Sequence, residues 1–147
     1  MFSQLLIGTL MIGITAILHG VAMDFIIKKT PKLERFIMNR SGMKIFRKAT
    51  IAVCVVLSVF TAHIGEVWLW ASLYYFGHAL PDFETCLYFS TVSFTTVGYG
   101  DVTLGHGWRL LGSIEAANGF MLFGWSTAFI FEVMSQLYRK EGEALKQ

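Results

Sequence analysis

The sequence predicts an all-α membrane protein with three membrane-spanning helices and one short re-entrant helix per subunit. Three observations carry this reading. Apolar runs over Phe2 to Ile27, Ala49 to Phe76 and Trp108 to Tyr138 each meet the roughly 20 helical residues needed to cross a hydrocarbon core of about 30 Å. A fourth apolar run, Phe83 to Thr95, is too short to span and fits a segment that enters and leaves from one side. The third observation is charge placement: only 15% of the 147 residues are charged, 54% are hydrophobic, and the mean hydropathy is +0.56. The lysines and arginines crowd into the segments between and after the runs rather than within them.

The first element, residues 1–27, is expected to be a retained helix rather than a cleaved leader, because its lysines follow the apolar run and none precedes it. Residues 28–48 hold eight of the 12 basic residues, Lys28, Lys29, Lys32, Arg35, Arg40, Lys44, Arg47 and Lys48. This segment reads as a cytoplasmic juxtamembrane stretch whose cations meet anionic lipid headgroups. Lys29, Lys32 and Arg35 recur every third residue as in a voltage-sensing helix, but Pro31 interrupts the row and no further helices offer counter-charges. The segment from Gly77 to Gly107 has no Lys or Arg and carries Asp82, Glu84 and Asp101. The positive-inside rule therefore places the basic loop and C-terminus in the cytoplasm, the 77–107 segment outside and, with three spans, the N-terminus outside. Cys54 and Cys86 fall in apolar runs and read as small buried side chains, not as a disulfide or metal site.

The remaining elements form one unit over residues 49–138, followed by a tail at 139–147. It comprises an outer helix at 49–76, a short helix at 82–95 capped by Asp82, a loop at 96–100 and an inner helix at 108–138. The loop lies within Thr95-Thr96-Val97-Gly98-Tyr99-Gly100-Asp101. Gly98 and Gly100 accept positive φ, so alternation with Val97 and Tyr99 allows successive carbonyls to face one way while the larger side chains point outward. The Thr96 hydroxyl adds an oxygen at the inner end. Stacked carbonyls can replace the water around a dehydrated potassium ion. One chain supplies a quarter of such a ring, so a homotetramer is required.

This heptapeptide between two spanning runs resembles the pore signature of the tetrameric potassium channel superfamily. The likeness covers residues 49–138 and is nearest to the simple two-helix bacterial potassium channels, with an N-terminal helix added. The resemblance implies potassium binding by the carbonyls of Thr96, Val97, Gly98, Tyr99 and Gly100, with potassium as permeant ion and no cofactor, in a bacterial inner membrane. Thr95, Asp101 and Tyr88 are expected to support the filter. Many bacterial relatives place a glutamate behind the filter where Val92 stands here, and voltage-gated relatives bond the aspartate through a tryptophan where Tyr88 stands here. The Tyr88 hydroxyl is therefore a candidate partner of Asp101, with a water as the alternative. By the same alignment Gly119 occupies the hinge position of the inner helix, marking either a bend or a close helix contact. Gly112 and Gly124 read as packing sites.

Phe120, Phe123, Thr127 and Phe131 recur at helical spacing and are assigned either to a cavity wall, with Phe131 as a gate that closes by dewetting, or to packing against helices and lipid. Glu132 is either an acidic ring or a side chain reaching to the interface. Glu115 and Asn118 are expected to brace the back of the short helix. His63 and Glu66, three apart on the outer helix, are expected to pair, with His19 as a further partner.

The leading expectation is passive, potassium-selective conduction. A potassium uptake transporter joins four loops in one long chain and degrades most of their glycines, and weakly selective cation channels lose Tyr99 or a glycine of the motif; this sequence does neither. No nucleophile, metal-ligand spacing or phosphate loop suggests an enzyme, and no basic cluster outside the juxtamembrane stretch suggests nucleic acid. With eight residues after Arg139, no cytoplasmic ligand-binding domain is expected.

Overall fold

A computed structural model describes residues 2–38 and 46–144. Regular structure among them consists of four helices: α1 (Phe2–Met38), α2 (Arg47–Phe76), α3 (Phe83–Phe94) and α4 (Arg109–Ala144). α1, α2 and α4 are long and apolar enough to cross a membrane. α3, at 12 residues, reaches only about 18 Å at 1.5 Å per residue and cannot.

α3 lies where the sequence puts it because its ends are chemically marked. Asp82 is extended, and its carboxylate accepts from the Thr85 amide at 2.8 Å and from the Thr85 hydroxyl at 2.8 Å. That satisfies one of the four free N–H groups of the first turn. Thr95 closes the other end.

Two boundaries differ from expectation. α1 does not stop at Ile27 but continues through Pro31 to Met38, so the first part of the 28–48 segment is helical. Pro31 removes one backbone donor, but Lys32, Leu33, Glu34 and Arg35 are good helix formers. Ile37 is buried and Leu33 packs beside it against the cluster that includes Ile51 and Val55. The Arg47 Nη1 to Glu34 Oε1 contact at 3.2 Å ties the start of α2 to this extension. Residues 39–45 of the basic segment lie outside the described residues. α4 runs past residue 138 to Ala144, because Glu141, Glu143 and Ala144 favour helix; residues 145–147 of the expected tail lie outside the described residues.

Two apolar clusters hold the bundle. One surrounds α3 and joins Met11 of α1, Trp70, Ala71 and Tyr74 of α2, Cys86 and Phe94 of α3, and Leu111 and Leu122 of α4. The second lies at the end remote from α3 and joins Met23, Ile26 and Ile37 of α1 to Ile51, Val55 and Val59 of α2 and Val133 and Leu137 of α4. α1 is thus packed into the same bundle as the other helices at both levels.

The tightest approach is α4 on the end of α3. A Cβ added at Gly119 would sit 2.0 Å from the Phe94 carbonyl oxygen, so only glycine fits. α4 is a continuous helix through this point, and the close helix contact is present. A Cβ at Gly112 would come 3.0 Å from the Phe89 ring, in keeping with packing, whereas Gly124 faces no neighbour within one chain. Gly119→Ala is expected to destabilise the protein in detergent by about 1–3 kcal/mol, as overpacking does, measured by denaturant unfolding. A variant of unchanged stability would show that α3 and α4 separate freely.

Candidate functional site

The loop after α3 takes its shape from the last carbonyls of that helix. The amide of Thr96 donates to Ser93 O at 2.9 Å, Val97 to Val92 O at 3.0 Å and Gly98 to Val92 O at 3.3 Å. Helix ends leave carbonyls without intrahelical partners, and here the loop's own N–H groups fill them. Gly98 and Gly100 have φ of +58° and +79°, and Thr96 has +61°. Every second residue is therefore left-handed. Such alternation turns consecutive amides to one side and the intervening carbonyls to the other.

The positive φ at Thr96 was not expected. The period-2 spacing of Thr96, Gly98 and Gly100 is the signal that could have found it; the β-branched side chain, which disfavours that conformation, concealed it. Among the described residues no main-chain or side-chain donor reaches the carbonyl oxygens of residues 96–100. Val97 and Tyr99 are 52% and 73% exposed on one chain, so much of their apolar surface is left uncovered by their own subunit. A cavity of about 440 Å³ opens beside the loop, lined by Phe89, Val92, Thr96, Gly98 and Ala116 among others.

Supports stand on both sides of the loop. Outside, the Tyr88 hydroxyl donates to Asp101 Oδ2 at 2.6 Å, and the Val102 amide donates to Asp101 Oδ1 at 3.0 Å. The Tyr88 bond, and less strongly the backbone amides, hold the Asp101 carboxyl below the usual carboxylate range. Thr95 Oγ donates to Thr91 O at 2.7 Å, which turns its side chain back onto α3. Behind α3, Glu115 is fully buried: Tyr74 donates to its Oε2 at 2.8 Å, and Ser90 Oγ lies 2.5 Å from its Oε1. Glu115 therefore reaches α3, as expected. Asn118 does not; its Nδ2 donates to Thr15 Oγ of α1 at 2.8 Å, since α1 occupies the face of α4 that Asn118 presents.

His19, Glu66, His63 and Ser126 close a buried ring that joins α1, α2 and α4. Glu66 Oε1 lies 2.8 Å from His19 Nδ1 and Oε2 lies 2.7 Å from His63 Nδ1. Ser126 Oγ lies 2.8 Å from His63 Nε2 and 3.2 Å from His19 Nε2. Each of the four contacts needs one hydrogen, and four hydrogens on these four groups correspond to zero net charge. The expected His63–Glu66 pair and its His19 partner are thus in place; Ser126 was missed, being one hydroxyl among many on apolar helices. His19, His63 and Glu66 offer ligand atoms within 4.8 Å of one another. Neighbours at 2.7 and 2.8 Å are closer than the about 3.3 Å that separates ligands around a tetrahedral zinc ion, so this is the spacing of hydrogen bonds.

On α4, Phe120 and Phe131 are 72% and 74% exposed and share a face with exposed Thr127. Phe123 departs from that stripe: about 60° round the helix from Phe120, it packs on the rings of His63 at 4.6 Å and Phe94 at 5.6 Å. Glu132 is exposed and accepts from Gln136 at 2.7 Å. It stands about 100° round from Phe131.

Two long helices flanking a short half-spanning helix, with a loop of unpaired carbonyls at its end, define a membrane pore protein. A protein-family model described as an ion channel matches residues 49–136, more than half of the chain, and the protein belongs to this ion-channel family. It is accordingly a multi-pass membrane protein with a transport role. Neither curated proteins nor solved structures offer a match to it.

Replacing Tyr88 by phenylalanine removes the strongest support of the Asp101 carboxylate. Tyr88→Phe is expected to raise the Asp101 pKa toward the ordinary carboxylate value, so that the carboxylate is lost at a higher pH on acidification, read by carboxyl NMR. An unshifted titration would show that the 2.6 Å contact does not form in the membrane.

Proposed function

We propose that four copies of this chain surround an axis and conduct potassium selectively and passively, through a filter made by the peptide oxygens of Thr96, Val97, Gly98, Tyr99 and Gly100. The observation that carries this reading is the row of carbonyls at 96–100 without protein donors, held by left-handed backbone at Thr96, Gly98 and Gly100. Oxygens so placed can take over the hydration shell of a potassium ion. A fourfold arrangement also gives cover to the exposed Val97, Tyr99, Phe120 and Phe131.

In that assembly the C-terminal end of α3, the negative end of its dipole, faces the axis and favours a cation below the filter. Asp82, Glu84 and Asp101 concentrate cations at the outer mouth. Thr95, Tyr88 and Asp101 support the filter from its own subunit. Gly119 sets the distance between α4 and the filter, and the face of Phe120, Thr127 and Phe131 lines the inner cavity, with Phe131 closing it. Phe123 acts from behind that wall, and Glu132 lies at its inner end. The N-terminus and the 77–107 segment are external in a bacterial inner membrane. The basic residues of the α1 extension and of the following segment meet anionic lipid.

Reconstituted in liposomes, the purified protein is expected to carry potassium at least an order of magnitude faster than sodium. Equal fluxes of the two ions would reject the selectivity assignment. Gly98→Ala forces an L side chain into φ of +58° at a cost of about 1–2 kcal/mol per subunit, and is expected to abolish that discrimination. Retained discrimination in the variant would mean that the loop backbone does not read the ion.

A further inference from the structure

The contacts of Ser90 bear on the protonation of Glu115. Ser90 Oγ lies 2.9 Å from the Val67 carbonyl oxygen and 2.5 Å from Glu115 Oε1. A serine hydroxyl has one hydrogen, yet two oxygens sit within bonding distance of it. When Ser90 donates to Val67, the shorter contact needs a hydrogen from the carboxyl group. Placing that hydrogen on Glu115 Oε1 completes the set: Glu115 donates to Ser90, Ser90 donates to Val67 O, and Tyr74 donates to Glu115 Oε2 at 2.8 Å. Every hydrogen is then used once and the cluster carries no charge.

The surroundings demand the same state. Glu115 is 0% exposed, and among the described residues it bonds Tyr74 and Ser90 and forms no ion pair with a lysine, arginine or histidine. α2 presents the phenol of Tyr74, and α3 presents Ser90 and the thiol of Cys86, which lies next to Tyr74. α1 meets this stretch of α4 through Gly8 against Leu111 and Ile114, none of which ionises. A bare carboxylate enclosed in the membrane without a cation is strongly disfavoured.

We propose that Glu115 is held as a neutral carboxylic acid whose proton bonds α4 to the back of the pore helix, making it a positioning residue for the filter. The functional arm rests on the filter reading given above; the protonation does not. Losing the proton leaves the single Ser90 hydrogen to serve both the Val67 carbonyl and a charged carboxylate, so one of the two bonds that tie α3 to α2 and α4 is given up. Since Val92 and Ser93 of α3 hold the loop, selectivity is expected to be intact at low and neutral pH and to fall as the pH rises and Glu115 ionises. Glutamine reproduces the neutral acid, with an amide donor toward Ser90 and a carbonyl toward Tyr74.

The test uses the reconstituted full chain. The infrared difference spectrum of the wild type minus Glu115→Gln should show the C=O band of a protonated carboxylic acid. Ser90→Ala should move that band to higher frequency by removing its acceptor, and this reading survives should the glutamine variant fail to assemble. In flux measurements, the wild-type potassium-to-sodium ratio should fall at least threefold across the alkaline range while the ratio of Glu115→Gln stays flat. Absence of the acid band, a band unmoved by Ser90→Ala, or identical alkaline profiles in wild type and glutamine variant would each overturn the proposal. A band present in a protein that conducts both ions equally would leave the proton on Glu115 and reject the filter reading instead.

Discussion

A hydrocarbon interior supplies no hydrogen-bond partners, and every buried donor and acceptor of this chain must find one in the protein. The helices meet this requirement down to their side chains. Thr9, Thr15, Thr30, Ser58, Thr61, Ser72, Thr91 and Thr127 each turn a hydroxyl back onto the carbonyl four residues earlier, which lets a polar residue face lipid or a neighbouring helix without an open donor. Among the described residues the indole nitrogen of Trp70 is the buried side-chain atom that lacks a partner. The oxygens of residues 96–100 lie on the exposed side of the loop and accept from no donor among the described residues, which is the arrangement the proposed potassium site needs.

The same constraint explains where the helices are joined. Polar side chains inside the bundle must be paired, and pairing across helices fixes those helices relative to each other. Glu115 joins α4 to Tyr74 of α2 and Ser90 of α3. The ring of His19, Glu66, His63 and Ser126 joins α1, α2 and α4, and Asn118 with Thr15 joins α4 to α1 a second time. α1 is therefore held to the rest of the bundle by two buried polar contacts as well as by apolar packing. Ser126 stands seven residues beyond Gly119, so a displacement of α4 beyond that glycine must either carry α1 with it or open the ring.

Most of the fold was legible because the bilayer turns composition into length. Runs of about 20 apolar residues mark spans, and the 13-residue run from Phe83 to Thr95 marks a half-span. The cap at Asp82 and the end at Thr95 were readable from local chemistry for the same reason. The continuation of α1 beyond Ile27 was not readable, because Pro31 argues against helix locally and the cations end the apolar run, while burial of Ile37 against Ile51 and Val55 is decided by tertiary contact. Of the site, Gly98 and Gly100 announce their backbone in the sequence, and Tyr88 announces a partner for Asp101. Asn118 was misplaced, and the two alternatives for Phe123 stayed open, because helical periodicity gives the face of a residue but not which helix covers that face. Ser90 and Ser126 were missed because a serine in an apolar helix has the same appearance whether it bonds its own backbone or completes a network.

The loop conformation depends on restraint from outside the loop. A β-branched residue at φ of +61° is disfavoured on its own, so Thr96 must be held there. The holding groups are carbonyls of α3, which accept from Thr96, Val97 and Gly98. α3 is itself too short to anchor in the bilayer, and it takes its position from α2, through Ser90 on Val67 and Phe89 on Tyr74, and from α4. At one end the backbone of Gly119 abuts the Phe94 carbonyl, and in the middle Glu115 meets Ser90. Force applied to α4 therefore reaches the row of carbonyls through two points of contact on one short helix. α4 is thus coupled to the 96–100 loop through α3, whose Val92 and Ser93 carbonyls accept from the loop amides while Phe94 and Ser90 meet Gly119 and Glu115 of α4.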